Sequence, residues 1–236
     1  MLVKFFKFCL LLLFYQSPLY SKSKTLNDFN SSYLTNYFSG IVAHNNKKNS
    51  EALKFFETSK FLIKQHNNYL ERYTYSLVLE GKVQQATNEI KKNLTENNSN
   101  FFEAHLLLAL NSLKNKDYKK SKDYLQKTYE FIEDDKFALI IIETLKQYLY
   151  VFEEKKIPNK KKNYGNLSFI NEAFQRCYIN DKNTKNYYEK IINNKNNDEY
   201  SRYIFFYINY LIENNKYEEA KKITNNLKYL NSSLLI

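Results

Sequence analysis

The stretch GIVAHNNKKNSEALKFF, residues 40–56, contains the spacing that indicates the helical architecture. It places a small residue at Gly40, another at Ala52 twelve positions later, and a bulky one at Phe56 four positions after that. Glycine occurs only three times in the 236 residues, so its position needs a physical reason. Two antiparallel helices that pack closely need small residues where they cross, because bulky side chains would hold the axes apart.

The same spacing recurs along the chain, which indicates a repeat. Ala52, Ala86 and Ser121 follow one another at steps of 34 and 35 residues. Ala220 lies 99 residues after Ser121, which equals three steps of 33. Each of the first three has a small residue twelve positions before it and a bulky one four positions after it: Gly40, Thr74 and Ala109 before, and Phe56, Ile90 and Leu125 after. A period of this length predicts an array of stacked helix pairs.

The chain between the paired helices has to reverse within a few residues. Gly81 and Asn215 each stand five positions before the second small residue, and both residue types tolerate the left-handed conformation that ends a helix. We therefore expect turns at these positions. Within each pair we expect the small residues to face each other, and we expect Phe56 to fill space against the next unit.

These units resemble tetratricopeptide repeats (TPRs). The matching segments are 33–66, 67–100, 102–135 and 201–234, which carry the small pair, the turn residue and, in two of them, a tyrosine. The aromatic residue expected early in the first helix is missing, and so is the proline expected at the end of each unit. The positions of that aromatic hold Asn36, Leu70, His105 and Ile204, and the matching tyrosines are Tyr118 and Tyr217. The resemblance implies an all-α, right-handed superhelical solenoid of about six antiparallel helix pairs.

The middle of the chain is less regular. Residues 135–152 predict a strong helix, and the lysine-rich loop 153–166 follows where a second helix is expected. Segments 168–179 and 183–194 then predict another helix pair. We interpret residues 136–200 as irregular, degenerate units within the array, and 201–236 as a final unit, either whole or truncated.

The N-terminus reads as a secretory signal peptide over residues 1–21. Lys4 and Lys7 precede an apolar run of eight residues, from Phe8 to Tyr15, which is too short to span a bilayer. Cleavage is expected after Ser21, leaving 22–32 as a linker before the repeats. With the repeats, this segment resembles exported TPR proteins of Gram-negative bacteria, which implies a periplasmic or envelope location. The alternative is that the segment stays attached as a membrane anchor.

Composition favours helices and excludes several classes of protein. Hydrophobic residues make up 43% of the chain, while glycine and proline number three and two, so a disordered chain is excluded. The net charge is +11, but lysine spread along the whole chain carries it, whereas nucleic-acid surfaces cluster arginine. We expect no nucleic-acid partner. One dense basic patch remains as a candidate for peripheral contact with an anionic membrane or polymer: Lys155, Lys156, Lys160, Lys161 and Lys162.

No pattern typical of catalysis is present. His44, His66 and His105 lie in separate units, and none has a second metal ligand three or four positions away. Cys177 is the one thiol outside the signal peptide and is interpreted as a small buried hydrophobe. A glycine-rich phosphate loop is absent. We expect no catalytic residue, metal or cofactor, and therefore not an enzyme.

The TPR resemblance implies that first helices line a concave, apolar groove. The predicted groove lacks the lysine and asparagine residues with which some TPR modules bind the terminal carboxylate of a peptide. We expect an envelope scaffold that binds an apolar peptide or an amphipathic helix, unless a neighbouring segment covers the groove. The alternative function is a basic adaptor that uses the 155–163 loop. The residues placed in the groove by the repeat register are Tyr37, Ile41, Tyr75, Leu106, Leu110 and Leu113.

The C-terminal end predicts an apolar face without a cover. Ile223, Leu227 and Leu230 fall on one side of the last helix, and the final unit of an array has no neighbour to bury them. Either the natural protein continues past residue 236, or this end docks onto a partner or a second copy. Self-association through this end is therefore an expectation.

Overall fold

A computed structural model describes residues 31–66, 68–94, 101–133, 135–159, 162–193 and 201–225. These residues form eleven α-helices and two short 3₁₀ segments, and they contain no strand. The predicted all-α class is thereby confirmed.

Five of the connections between consecutive α-helices are only three to five residues long. The 3₁₀ segments are Lys60–Lys64 and Tyr129–Phe131. The α-helices are α1 Ser31–Asn45, α2 Asn49–Thr58, α3 Tyr69–Leu79, α4 Val83–Asn93, α5 Phe102–Lys114, α6 Tyr118–Thr128, α7 Lys136–Glu154, α8 Asn166–Tyr178, α9 Thr184–Ile192, α10 Ser201–Glu213 and α11 Tyr217–Thr224.

The helices fall into two compact units. Unit 1 runs to Lys82 and contains α1, α2 and α3. Unit 2 begins at Val83 and contains α4 to α11. The core of each unit is described by itself.

Unit 1 is built on the close crossing of α1 and α2. Gly40 is buried, and Ala52 and Phe56 are 0% and 1% exposed. A Cβ atom on Gly40 would lie 2.8 Å from Cε1 of Phe56. Phe56 therefore has a role that the sequence argument missed, because its ring packs beneath Gly40 within its own helix pair. Its ring also meets that of Tyr69 on α3 edge-on, with centroids 6.2 Å apart, as predicted for contact with the next helix pair of the repeat.

The first helices of unit 1 lie side by side and run in the same direction. The rings of Tyr37 and Tyr69 are 5.7 Å apart, and those of His44 and Tyr75 are 5.2 Å apart. The contacts advance along α1 and α3 together, so the two helices are parallel. Tyr69 also donates a hydrogen bond to the carbonyl oxygen of Phe56, which ties α3 to α2.

Unit 2 contains a second small-residue crossing, between α5 and α6. The hydroxyl of Ser121 donates to the carbonyl oxygen of Ala109 over 2.8 Å, and both residues are 1% exposed. Leu125 and Leu149 complete the cluster and bring in α7. Asp117 caps α6 by accepting from the backbone N–H of Lys120. The predicted pairing of small residues is thus present here as a direct contact.

The turns that follow α1, α3, α5, α8 and α10 share one backbone conformation. In each, one residue has a left-handed φ between 55° and 72°, and its N–H bonds the carbonyl three residues back. The next N–H bonds the carbonyl five residues back, which is the Schellman arrangement. The predictions for Gly81 and Asn215 are confirmed. The five residues are Lys47, Gly81, Lys116, Asn180 and Asn215.

The connection after α7 differs from the others. Tyr148 donates to Asn171 over 3.2 Å, and the rings of Phe152 and Tyr178 are 4.5 Å apart. Burial raises the pKa of Tyr148 to about 12, so its hydroxyl remains a donor. The two contacts advance along both helices together, so α7 and α8 are parallel. The described residues between them, 155–159 and 162–165, form no helix, so the chain returns along α7 as a loop.

The C-terminal part of unit 2 is an aromatic core between α8, α9, α10 and α11. The rings of Tyr188 and Tyr207 stack 5.4 Å apart, and both side chains are buried. Arg176 joins α8 to the turn before α9. Its guanidinium contacts Glu172 at 2.5 Å and Asp181 at 2.9 Å.

Candidate protein-binding surface

In unit 1 the predicted groove residues separate into buried and exposed ones. Tyr37 is 2% exposed and packs against the rings of Phe56, His66 and Tyr69. This placement departs from the expectation, because the ring faces the core and is not available to a ligand. Ile41 is half-buried, and Tyr75 on α3 is 51% exposed.

Unit 1 also exposes an apolar residue that the sequence argument missed. Val78 follows Tyr75 by three positions on α3 and is 37% exposed. Residues three apart lie on the same side of a helix, so the two side chains extend one surface. The rings of His44 on α1 and Tyr75 pack edge to face, so His44 supports Tyr75.

In unit 2 the predicted residues lie on α5. Leu106 and Leu113 are half-buried and pack on the cluster formed by Ala109, Leu125 and Leu149. Leu110 is 40% exposed and is the most accessible of the three. The two half-buried leucines therefore hold α5 in place, and Leu110 presents apolar surface to solvent.

The structure adds two residues on α10 at the corresponding positions. Phe205 and Ile212 are 55% and 43% exposed. They stand 99 residues after Leu106 and Leu113, the same interval that separates Ser121 from Ala220. Applied to the groove, this interval could have identified both residues from the sequence.

We use the name first-helix stripe for these side chains in each unit taken by itself. Every member is uncharged, and an apolar surface of this kind gains free energy by releasing water, at roughly 25 cal/mol per Å² buried. In unit 1 the stripe consists of Ile41, Tyr75 and Val78, on α1 and α3. In unit 2 it consists of Leu106, Leu110, Leu113, Phe205 and Ile212, on α5 and α10.

The predicted basic patch is partly described. The ammonium group of Lys155 donates to the hydroxyl of Tyr178 over 2.6 Å and lies 4.2 Å from the centre of its ring. Lys156 and Lys162 are exposed. Lys160 and Lys161 lie outside the described residues.

The three histidines all contact aromatic rings. His66 packs on Tyr37 with centroids 4.6 Å apart, and His105 stacks on Phe131 at 5.6 Å. Burial, followed by the nearby charge of Lys127, lowers the pKa of His105. The described part of the chain holds no group of three or more His, Cys, Asp or Glu residues that could bind a metal ion. Cys177 is half-buried, and burial raises the pKa of its thiol.

The predictions for the chain ends fall mostly outside the described residues. These include the signal peptide, all of the linker before Ser31, Leu227 and Leu230. Ile223 is half-buried against the C-terminal core. Among the described helices, none combines the length and the apolar character needed to cross a bilayer.

Comparison of the chain with protein-family models, with curated proteins and with solved structures finds no match.

Proposed function

We propose that the protein is a non-catalytic, TPR-like scaffold of the bacterial cell envelope that binds a protein partner through the first-helix stripe. The observation that carries the proposal is the repetition of exposed and half-buried apolar residues at matching positions of first helices. Leu110 follows Tyr75 by 35 residues, and Phe205 follows Leu106 by 99. Scattered surface hydrophobes would not keep the repeat interval.

Within each unit, the turns and the helix contacts support stacked helix pairs of the TPR kind. Left-handed residues recur at Lys47, Gly81 and Lys116, with steps of 34 and 35 residues. Parallel first helices and antiparallel pairs are the arrangement that such an array needs. Where the α7 loop replaces a second helix, the array is degenerate.

The chemistry of the stripe defines the partner. An uncharged surface with aromatic and branched side chains fits the apolar face of an amphipathic helix or an apolar peptide. It offers no lysine and asparagine pair for a terminal carboxylate. The proposed role needs no cofactor, metal or catalytic group, and no nucleic acid.

Export is part of the proposal and rests on residues 1–21. The positive start, the short apolar run and the small residue at Ser21 support cleavage by signal peptidase. Mass spectrometry of the protein from its native envelope tests this. A mature chain that begins at Lys22 is expected, whereas an intact N-terminus would support the membrane-anchored alternative.

The binding role is tested with charge substitutions in the stripe. Tyr75→Lys and Leu110→Lys should each remove a partner that wild-type protein retains from solubilised envelopes, because an ammonium group would be buried unpaired at the interface. Phe137→Lys is the matched control, since Phe137 on α7 is 72% exposed and lies outside the stripe. Retention of the partner by both stripe variants contradicts the proposal.

A second candidate function is an adaptor that holds an anionic membrane or polymer through the basic patch. Its support is the exposure of Lys156 and Lys162 and the partly exposed ring of Tyr178, 47% accessible, beside Lys155. Sedimentation with phosphatidylglycerol vesicles tests it. Binding that disappears at high salt and in Lys156→Gln/Lys162→Gln favours the patch, whereas binding through the stripe should change little with salt.

A further inference from the structure

Arg72 on α3 carries a positive charge that the proposed function does not use. Only three of the 36 basic residues of the chain are arginines, so lysine is the ordinary cation of this protein. Lysine serves where a point charge is sufficient, whereas arginine presents a planar fork of donors that matches a carboxylate. The rare arginines are therefore candidates for a bidentate contact.

The two arginines whose side chains the structure describes differ in their partners. Arg176 contacts the carboxylates of Glu172 and Asp181. Among the described residues, Arg72 forms no ion pair with a carboxylate. Glu71 is exposed at the preceding position of α3, and consecutive residues of a helix do not face each other. The guanidinium of Arg72 can therefore offer its donors to a group from another molecule.

Arg72 lies on the seam between α1 and α3. The rings of Tyr69 and Tyr37 are 5.7 Å apart, and those of Tyr75 and His44 are 5.2 Å apart. Arg72 stands three positions from each of the two tyrosines of α3, so it lies between these contacts. Its side chain is half-buried. Burial raises the pKa of Tyr37, and the charge of Arg72 opposes that rise, so the guanidinium lies near the Tyr37 hydroxyl.

This position puts Arg72 at the edge of the first-helix stripe of unit 1. Tyr75 is one helical turn further along α3 and is 51% exposed, and Val78 is 37% exposed one turn beyond it. A ligand that covers these side chains would also remove water from the guanidinium. A charge that loses its water without gaining a counter-ion costs several kcal/mol. The apolar surface can therefore be covered at low cost only by a ligand that brings an anionic group.

We propose that Arg72 selects a protein partner with an Asp or Glu side chain about one helical turn from the apolar residues that contact Tyr75 and Val78. This inference rests on the proposed function of the stripe. The carboxylate would accept two parallel hydrogen bonds from the guanidinium fork, which an amide cannot match in charge or geometry. The net charge of +11 also attracts an acidic partner at long range. One ion pair adds specificity, and apolar burial remains the main source of affinity.

NMR of the labelled full-length chain tests the proposal with two blocked peptides, acetyl-Leu-Leu-Glu-amide and acetyl-Leu-Leu-Gln-amide. The blocked ends leave the glutamate side chain as the only carboxylate. We expect the Glu peptide to shift the Nε–H resonance of Arg72 and the backbone resonances of Tyr75 and Val78. The Gln peptide should shift only those of Tyr75 and Val78. Arg176 is the internal reference, because its Nε–H already donates to Glu172.

A charge-neutralising variant measures the contribution of Arg72. Arg72→Gln should weaken binding of the Glu peptide about tenfold, the size of one charge-assisted hydrogen bond, and should leave the affinity for the Gln peptide unchanged. Lys54→Gln is the matched control, since it removes an exposed charge from α2 of the same unit, and it should bind both peptides as wild type does. Circular dichroism checks that both variants keep their helices.

The possible results separate this inference from the proposed function. Shifts at Tyr75 and Val78 without one at Arg72 would overturn the role of Arg72 and leave the stripe as a binding surface. Equal shifts of Arg72 with both peptides would also overturn it, because the Gln peptide carries no charge. A shift of Arg72 with the Glu peptide alone, without any at Tyr75 or Val78, would support the carboxylate site and contradict the use of the stripe. No shift at any of the three residues would contradict both.

Discussion

At the residue scale, Gly40 and Phe56 form a coupled pair. Gly40→Ala adds a methyl group that would lie 2.8 Å from the Phe56 ring, and the rings of Tyr37 and Tyr69 restrict how far Phe56 can move. Overpacking costs about 1–3 kcal/mol, which exceeds the gain of about 1 kcal/mol from replacing a helical glycine. We expect Gly40→Ala to lower the free energy of unfolding.

A second substitution, at Phe56, tests whether the Phe56 ring causes this loss of stability. In a Phe56→Leu background the ring is absent, so Gly40→Ala should raise the free energy of unfolding. Urea denaturation of the four proteins in the cycle measures both effects. Equal effects of Gly40→Ala in the two backgrounds would mean that Phe56 does not limit space at Gly40.

His105 makes the stability of unit 2 depend on pH. Burial lowers the pKa of its imidazole below the ordinary value of about 6.5, so the folded protein binds fewer protons than the unfolded chain. The neutral His105 imidazole therefore stabilises the folded protein fully at a pH above the pKa of the unfolded chain. This stabilisation is lost as the pH falls through the lower pKa of the folded protein. His105→Gln should lose less stability than wild type between about pH 7.5 and about pH 5.5. Denaturant titrations at the two pH values measure this, and equal losses would contradict it.

Sequence reasoning identifies the tightly packed small residues but not the direction of every large one. Ala109 and Ser121 could be paired because close helix approach tolerates few residue types. Tyr37 could not be placed, since an aromatic residue on a first helix suits both a groove and a core. Contacts with Phe56, His66 and Tyr69 place the Tyr37 ring in the core, and these three residues lie outside α1.

At the element scale, the five turns share one conformation and differ in sequence. Gly81 adopts the left-handed region without a steric penalty, whereas Lys116 adopts it with a side chain, at φ 59°. Gly81→Ala should therefore destabilise the protein by about 1 kcal/mol, and Lys116→Gly should stabilise it by up to about 1 kcal/mol. Thermal unfolding of the two variants checks the opposite signs. A loss of stability in Lys116→Gly would contradict this account of the turns.

Arg176 links α8 to the turn before α9 with a geometry that lysine cannot reproduce. Its side chain is 15% exposed and reaches two carboxylates, of Glu172 and Asp181, while stacking 4.5 Å from the ring centre of Tyr187. Arg176→Lys should destabilise unit 2 by roughly 1–2 kcal/mol.

The ion pair of Lys185 with Glu219, whose side chains are 32% and 41% exposed, is the comparison for Arg176. Lys185→Gln should change the free energy of unfolding by no more than about 0.5 kcal/mol, because solvent screens an exposed ion pair. Chemical denaturation distinguishes the two variants. Equal changes in the free energy of unfolding for Arg176→Lys and Lys185→Gln would mean that the planar guanidinium of Arg176 contributes nothing beyond its charge.

The connection between α7 and α8 shows what can be predicted at this scale. The lysines, Pro158 and Gly165 indicate a loop where a second helix is expected, and the structure has a loop there. The parallel direction of α7 and α8 did not follow from the sequence. It depends on contacts such as Tyr148 with Asn171, which join residues 23 positions apart.

At the scale of the whole molecule, the repeat interval connects the sequence with the proposed function. The interval predicts helix pairs and turns, and its 99-residue step could have identified the exposed residues of α10, which the sequence analysis missed. The partner cannot be predicted in this way, because an apolar stripe selects a class of ligand by area and shape and not by a unique chemical group.

Site-specific photo-crosslinking in the native envelope tests whether the first-helix stripe binds a protein partner. A photoreactive residue is placed in turn at Tyr75, Leu110 and Phe205, at Lys127 on the exposed side of α6, and at Lys156. We predict the same cross-linked partner from the three stripe positions, persisting at high salt, and none from Lys127. Cross-links confined to Lys156 and abolished by salt, or none from the stripe, would contradict the account.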